Sequence, residues 1–428
     1  MKTKFTTLAL LAVSAMGAVT GVACTTPDEA DDGSSGDAIS SNAGTPLLFS
    51  FKGEVIANGT DLPRKAIVTQ LQYLQGTLTT HVKGNTQASM PTLRNVAESI
   101  TNGVRTITYE ADLAVGWPKR TAVPASYEVV LPRDVTALDA FNQKYDGSCG
   151  KNEYGLDSFW HDFNPKAPGC SVKPEDAVRA TAKVVPHPQT TTGKYPEYDK
   201  VWEDDTLNVV VVGGIISQND ESDEGYRNRE ALFRGVTSTL TGAKRTEEPA
   251  QPGILRDSTV SGTVKVKGRE RRVNVTSVLV NEVNSAGDAF NKRYEALSAK
   301  ADVIIYYGHS GLGKNINTLA KHTTATRGQY TLVYLYGCQT LGYLGSAMHD
   351  ARIESNGKAA DPEGTKFLDV ISTALPAYGD GGESNLALYR AMLRPDQPKT
   401  FNELISGMSD SHLVVVFGEH DNTFKPAQ

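Results

Sequence analysis

The chain has 428 residues, enough for two domains with ordinary hydrophobic cores. Its formal net charge of −6 leaves no electrostatic footprint for nucleic acid. With 39% hydrophobic and 21% charged residues, its composition is that of a soluble protein.

The first signal along the chain is the apolar stretch from Leu8 to Val22, preceded by Lys2 and Lys4 and followed by Ala23-Cys24. These flanks and this length assign residues 1–23 to a secretory signal peptide and are wrong for a resident transmembrane helix. Cys24, directly after small residues, resembles the bacterial lipoprotein box, in which the cysteine is lipidated and becomes the new amino terminus. Gly21 stands where that box usually carries leucine, and ordinary cleavage after Ala23 is the alternative. Residues 24–46 are rich in Asp, Ser, Gly and Thr and read as a flexible tether. The expected location is an outer-membrane or cell-surface lipoprotein, with periplasmic or secreted forms as alternatives. Membrane contact is expected only through the lipid anchor.

Residues 47–200 are expected to form a β-rich first domain. Strand-like runs start at Leu48, Ala66, Val104 and Tyr127, and their alternating apolar and polar positions suggest half-buried antiparallel strands. Thr136 to Tyr145 fits one helix. An aromatic-rich stretch, Phe159-Trp160-His161-Asp162-Phe163, follows and is closed by Cys170. Exported chains live where thiols pair, so Cys149 and Cys170 are a plausible disulfide flanking this stretch. That leaves Cys338 without a partner, as either a buried inert thiol or a reactive one. Pro186 to Tyr198 looks like a connection.

Residues 201–428 change rhythm. The buried strand Leu207 to Gly214, a helix over Arg227 to Ser238, a polar hairpin from Gly262 to Arg272 and a helix over Ala286 to Lys300 alternate as in a parallel sheet with helices on both faces. Two apolar runs then end alike. Asp302-Val-Ile-Ile-Tyr-Tyr-Gly308-His309-Ser310-Gly311 is followed by Thr331-Leu-Val-Tyr-Leu-Tyr-Gly337-Cys338-Gln339. Both have the length and composition of strands buried on both faces. As parallel neighbours they would deliver His309 and Cys338 side by side to the carboxyl edge, where open α/β sheets bind ligands. A thiol beside an imidazole is the minimal apparatus for nucleophilic attack on a carbonyl. Beyond lie a helix over Leu341 to Arg352, a strand from Asp369, helices near Leu386 and Phe401, and an apolar run from Leu413.

This order of strand, Gly-His, strand and Gly-Cys resembles the caspase, legumain and gingipain superfamily of cysteine peptidases. The resemblance covers roughly Leu207 to the carboxyl terminus and implies a caspase-like α/β domain, a mostly parallel sheet with helices on both faces, preceded by the β-rich domain. It implies a cysteine endopeptidase acting on a peptide or protein, with Cys338 as nucleophile and His309 as its acid-base partner. Backbone N–H groups of Cys338 and of Ser310 or Gly311 would hold the oxyanion. Gly308, Gln339, Pro376 and Asp380 would wall the substrate pocket. The chain departs from the pattern at Ser310, where the superfamily usually has glycine, so a side chain stands beside the path of the substrate carbonyl.

Alone, Cys338 reads first as a buried core thiol and His309 as a hydrogen-bonded strand-end histidine, and it is their joint placement at two strand ends that favours the catalytic reading. Two further readings remain open: a catalytically inactive surface lipoprotein that uses the same fold for binding, and an α/β-hydrolase with Ser310 as nucleophile. Against the hydrolase, Leu312 occupies the last glycine of G-x-S-x-G, and no histidine follows Asp421. No cofactor is expected. Asn219 to Glu224 offers carboxylates for a structural calcium but lacks the glycine and spacing of an EF-hand loop, so a solvated acidic loop is the plainer reading. His161-Asp162 has no second histidine at ligand spacing, and no metal site is expected. His349-Asp350 and His420-Asp421 read as surface pairs.

Overall fold

Runs of β-branched and aromatic residues with few polar positions have the composition of strands covered on both faces. Two such runs, Val303–Tyr307 and Thr331–Tyr336, and three parallel strands of more mixed sequence form the centre of the computed structural model. It describes residues 38–40, 44–81, 87–88, 91–118, 121–152, 155–188, 193–215, 221–374, 377, 381–408, 414–417, 422 and 424–426. The five are Thr206–Gly214, Arg269–Val280, Val303–Tyr307, Thr331–Tyr336 and Leu368–Thr373, all parallel. Numbered by appearance they lie in the order 2-1-3-4-5, a doubly wound arrangement. Antiparallel strands extend the sheet to nine: Ile254–Val266 and Thr241–Glu247 at one side, Val414–Phe417 and then Ala38–Ser40 at the other. The residues Ala38–Ser40, which the sequence places in the tether, are thus the outermost strand, paired with Val414–Val416.

Alternate side chains feed two cores. Ile304, Tyr306, Val333 and Leu335 face one layer, with Phe290, Tyr294, Ile316 and Leu319 on helices Asp288–Ser298 and Lys314–His322. Val303, Ile305, Leu332 and Tyr334 face the other, against Leu232, Phe233 and Val236 of helix Glu224–Thr239 and Leu388 and Tyr389 of helix Gly381–Met392. Burying each large aliphatic side chain contributes roughly 1.5–3 kcal/mol, so both faces of these strands help to hold the sheet between its helices.

The first half of the chain forms a six-stranded antiparallel sheet in which Gly44–Ala57, Val104–Pro118, Ser126–Pro132 and Ala177–Pro186 are the longest members besides Thr92–Thr101. Residues from Ala66 onward belong to the helix Pro63–His81, not to a strand. Ile67, Leu71, Leu74 and Leu78 recur every three or four residues and are all buried, so helical period outweighs the local alternation. Proline at the first position suits a helix start. Leu341 to Arg352 is also not one helix but two, Thr340–Tyr343 and Ala347–Asn356. Gly345 and Ser346 separate them. The core of the first sheet is continuous with the layer holding Ile304 and Tyr306. Arg64 pairs with Glu363 across the same junction at 2.9 Å.

Asp302, at the entry to the histidine strand, is 4% exposed and accepts from the Asn208 backbone N–H at 2.7 Å and Gln329 Nε2 at 2.8 Å. Burial, only partly opposed by these bonds, pushes its carboxyl up to about 7. The folded chain keeps this proton to about pH 7, whereas an unfolded chain releases it near pH 4. Stability from this site is therefore complete below pH 4 and declines as pH rises towards 7. Asp302→Asn removes the titration, so its stability relative to wild type should rise between pH 4 and 7, by at most about 1.4 kcal/mol per pH unit. Urea denaturation across that range measures the difference, and a pH-independent difference refutes the assignment.

Candidate functional site

Tyr307 and Tyr336 are direct partners at the carboxyl ends of the third and fourth parallel strands. Each is followed by glycine and then by His309 or Cys338. Equal offsets from paired residues bring the two side chains out at one edge, beside the point where strand order reverses between Thr206–Gly214 and Val303–Tyr307. The Gly308 N–H donates to the Tyr336 carbonyl at 3.2 Å. A Cβ on Gly337 would lie 2.7 Å from the Gly308 carbonyl oxygen and 3.7 Å from the Ser310 nitrogen, so glycine permits the two turns to touch.

His309 is exposed, and its carbonyl is held from two sides. The Tyr306 hydroxyl donates to it, as does Asn315 Nδ2 at 2.8 Å. Asn315 is fully buried, and its Oδ1 accepts from the Asn284 N–H at 3.0 Å, tying the histidine turn to the loop after the second parallel strand. Burial raises the Tyr306 hydroxyl well above its ordinary range, against the lowering effect of Asn315, so it stays a neutral donor. Ser310 is 5% exposed: its side chain is packed into the turn rather than standing in the open.

Cys338 is half-buried and a free thiol. Its Sγ donates weakly to the Ala377 carbonyl at 3.9 Å, and among the described residues no hydrogen bond joins it to His309. Apo sites often leave such pairs loose. The turn behind it is held by buried hydroxyls. Thr340 Oγ1 donates to the Leu335 carbonyl at 3.0 Å and lies 2.8 Å from Ser372 Oγ, while Thr373 Oγ1 donates to the Gly337 carbonyl. Gln339 is buried in left-handed backbone, with φ 54°. A non-glycine residue in that conformation carries strain, which is often found next to reacting groups. The N–H groups of Ser310, Gly311 and Cys338 donate to no backbone acceptor among the described residues. They leave three donors beside the pair of side chains.

Gly308, His309, Ser310, Gly311, Cys338 and Gln339 are thus gathered by two adjacent turns. Pro376, Asp380 and Cys24 lie outside the described residues, as do Asn219 and Asp220. Glu221 pairs with Arg256 at 2.6 Å, and Asp223 caps helix Glu224–Thr239 by accepting from the Gly225 N–H at 2.7 Å. The described part of the acidic segment is therefore engaged in structural contacts. Cys149 and Cys170 are joined by a disulfide. His161 Nδ1 lies 3.1 Å from Asp162 Oδ1. His349 is 2% exposed, which corrects the reading of His349-Asp350 as a surface pair; it lies on the buried side of helix Ala347–Asn356. His420-Asp421 falls outside the described residues. Tyr306, Asn315, Thr340 and Thr373 are supports that sequence reasoning missed. Their hydrogen bonds run to backbone groups that no spacing rule identifies.

Among the described residues no group of three or more His, Cys, Asp or Glu side chains is placed to hold a metal ion, and no helix is long and apolar enough to cross a membrane. The contact between the two turns predicts that Gly337→Ala destabilises the protein by about 1–3 kcal/mol, because its neighbour is backbone and cannot swing away. Gly59→Ala, where a Cβ meets nothing, serves as the neutral control. Equal denaturation midpoints for the two variants would contradict this packing.

No protein-family model matches the chain, and neither does any curated protein. Among solved structures, the cytosolic domain of L. pneumophila FeoB is similar over 30% of this chain, at 16% identity and a TM-score of 0.18. The match spans 44% of that chain, less than half its length. A likeness at that score carries no argument about fold or function.

Proposed function

We propose that the chain is a cysteine endopeptidase with a caspase-like α/β domain, in which Cys338 is the nucleophile and His309 the acid-base group. The observation that carries the reading is the in-register pairing of two buried parallel strands, each ending in glycine and then a reactive side chain. In this mechanism the Cys338 thiol gives up its proton to His309, and the sulfur attacks the carbonyl carbon of the scissile peptide bond. Negative charge gathers on the carbonyl oxygen within reach of the N–H groups of Cys338 and of Ser310 or Gly311. Losing one such donor typically costs about 3–4 kcal/mol of transition-state stabilisation. His309 then protonates the leaving amine as the C–N bond breaks, and water hydrolyses the thioester, returning the free thiol. The buried position of Ser310 supports an open approach for the carbonyl. An exported lipoprotein lodging and a peptide or protein substrate belong to the same reading.

A second reading, a silent binding lipoprotein, is favoured by one observation: the thiol points its hydrogen bond at Ala377 and not at the imidazole. The two readings part on activity. A peptide library should be cleaved by wild type and left intact by Cys338→Ala, while His309→Ala should lower kcat/KM roughly 10²- to 10⁴-fold, the usual worth of general acid-base catalysis. An electrophilic peptide probe should label Cys338 in the folded protein. No cleavage of the library, with labelling only after denaturation, would establish the silent reading instead.

A further inference from the structure

The aromatic stretch closed by the Cys149–Cys170 disulfide packs against the segment that follows Cys338. Tyr343, five residues past the cysteine, is 2% exposed and lies between two pieces of chain. On one side lies the histidine turn: a Cβ on Gly313, four residues past His309, would fall 3.0–3.2 Å from the Tyr343 side chain. Gly313 has a φ of 87°, so glycine is needed there both for space and for backbone. On another side lies the first half of the chain. The Trp160 ring meets Tyr343 edge-on at 5.6 Å between centroids, and the His161 ring stacks on it at 6.1 Å. Helix Phe159–Asp162, which carries both rings, is pressed in turn onto helix Pro63–His81. A Cβ on Gly76 would strike the Trp160 carbonyl oxygen at 2.0 Å.

From this stack we infer that Trp160 and His161 are positioning residues of the Cys338/His309 site. Wedged behind Tyr343, they set how closely the cysteine turn approaches the histidine turn. The proposal rests on the peptidase reading and assigns the first domain a role within it: a brace for the reacting pair rather than a detachable prosegment. The disulfide closes the loop that presents the wedge, and the aromatic contacts transmit its position without touching substrate. Aromatic pairs of this kind are worth about 0.5–1.5 kcal/mol each beyond the area they bury, enough to bias the spacing of two turns.

A double-mutant cycle on Cys338 alkylation by iodoacetamide, read at the Cys338 peptide by mass spectrometry of the full chain, tests the proposal. His309→Ala and Trp160→Ala should each slow alkylation at pH 7 on the order of tenfold, because a correctly placed imidazole takes the thiol proton as the sulfur attacks. The double variant should react no more slowly than His309→Ala alone, and Trp160→Phe should restore the rate. His161→Ala removes the stacked ring while leaving the Trp160–Tyr343 contact in place, and it repeats the cycle should Trp160→Ala not fold. The wedge is refuted if the wedge variants alkylate as wild type, or if their effect multiplies with that of His309→Ala, since either result means they do not act through the pair. If His309→Ala by itself leaves the rate unchanged, the dyad fails first, in an arm that does not involve Trp160, and the wedge falls with it.

Discussion

Everything at this edge of the molecule depends on one pairing: Val303–Tyr307 beside Thr331–Tyr336, parallel and with their final tyrosines opposite each other. A slip of one residue would reverse the face of every side chain in a strand, sending Ile304 and Val333 to the wrong core layer. Because both layers are filled, that slip is strongly opposed. The register is then inherited by the residues just beyond the sheet, so the placement of His309 and Cys338 follows from the burial of residues that have no chemistry. The core thus does the aiming.

Past the strand ends the constraint changes from apolar burial to hydrogen bonding. The two turns have no regular ladder to satisfy their backbone groups, and buried carbonyls there must find partners. Tyr306 and Asn315 answer the His309 carbonyl, and Thr373 answers that of Gly337. The amides of Ser310, Gly311 and Cys338 donate to no backbone acceptor among the described residues. Anchoring the carbonyls fixes the path of both turns while leaving these N–H groups out of the backbone bonding. The same economy ties in the first half of the chain, whose core runs without a break into the layer beneath Tyr306 and whose aromatic helix backs Tyr343.

Where sequence reasoning and structure part, the reasons are local. The segment from Ala66 carries valine, threonine and tyrosine, which favour strands, yet its leucines keep a three-to-four spacing and the long helix Pro63–His81 follows them. Tertiary burial of one whole face outweighed propensity. The split after Cys338 is hidden because Leu341 to Arg352 has no proline, and its break comes from Gly345 and Ser346 with Tyr343 packed against Trp160 and His161. His349 looked like a surface residue beside an aspartate, but helix phase turned it inward. Ala38–Ser40 have no apolar alternation to reveal them; their strand exists because the edge at Val414–Val416 offers unpaired backbone.

By itself the sequence determined the buried parallel strands, the alternation with helices, the paired cysteines 149 and 170, and the candidacy of His309 and Cys338. Those are properties of composition and period, which act over a few residues and are written in order along the chain. Only the tertiary structure decided that the two strands are neighbours in register, that Ser310 is packed away, and that Asn315, Thr340 and Thr373 hold the turns. The ring contacts of Trp160 and His161 with Tyr343 are of the same kind. Such contacts join residues that are far apart in sequence through shape and backbone hydrogen bonds, and neither leaves a periodic trace in the order of the amino acids.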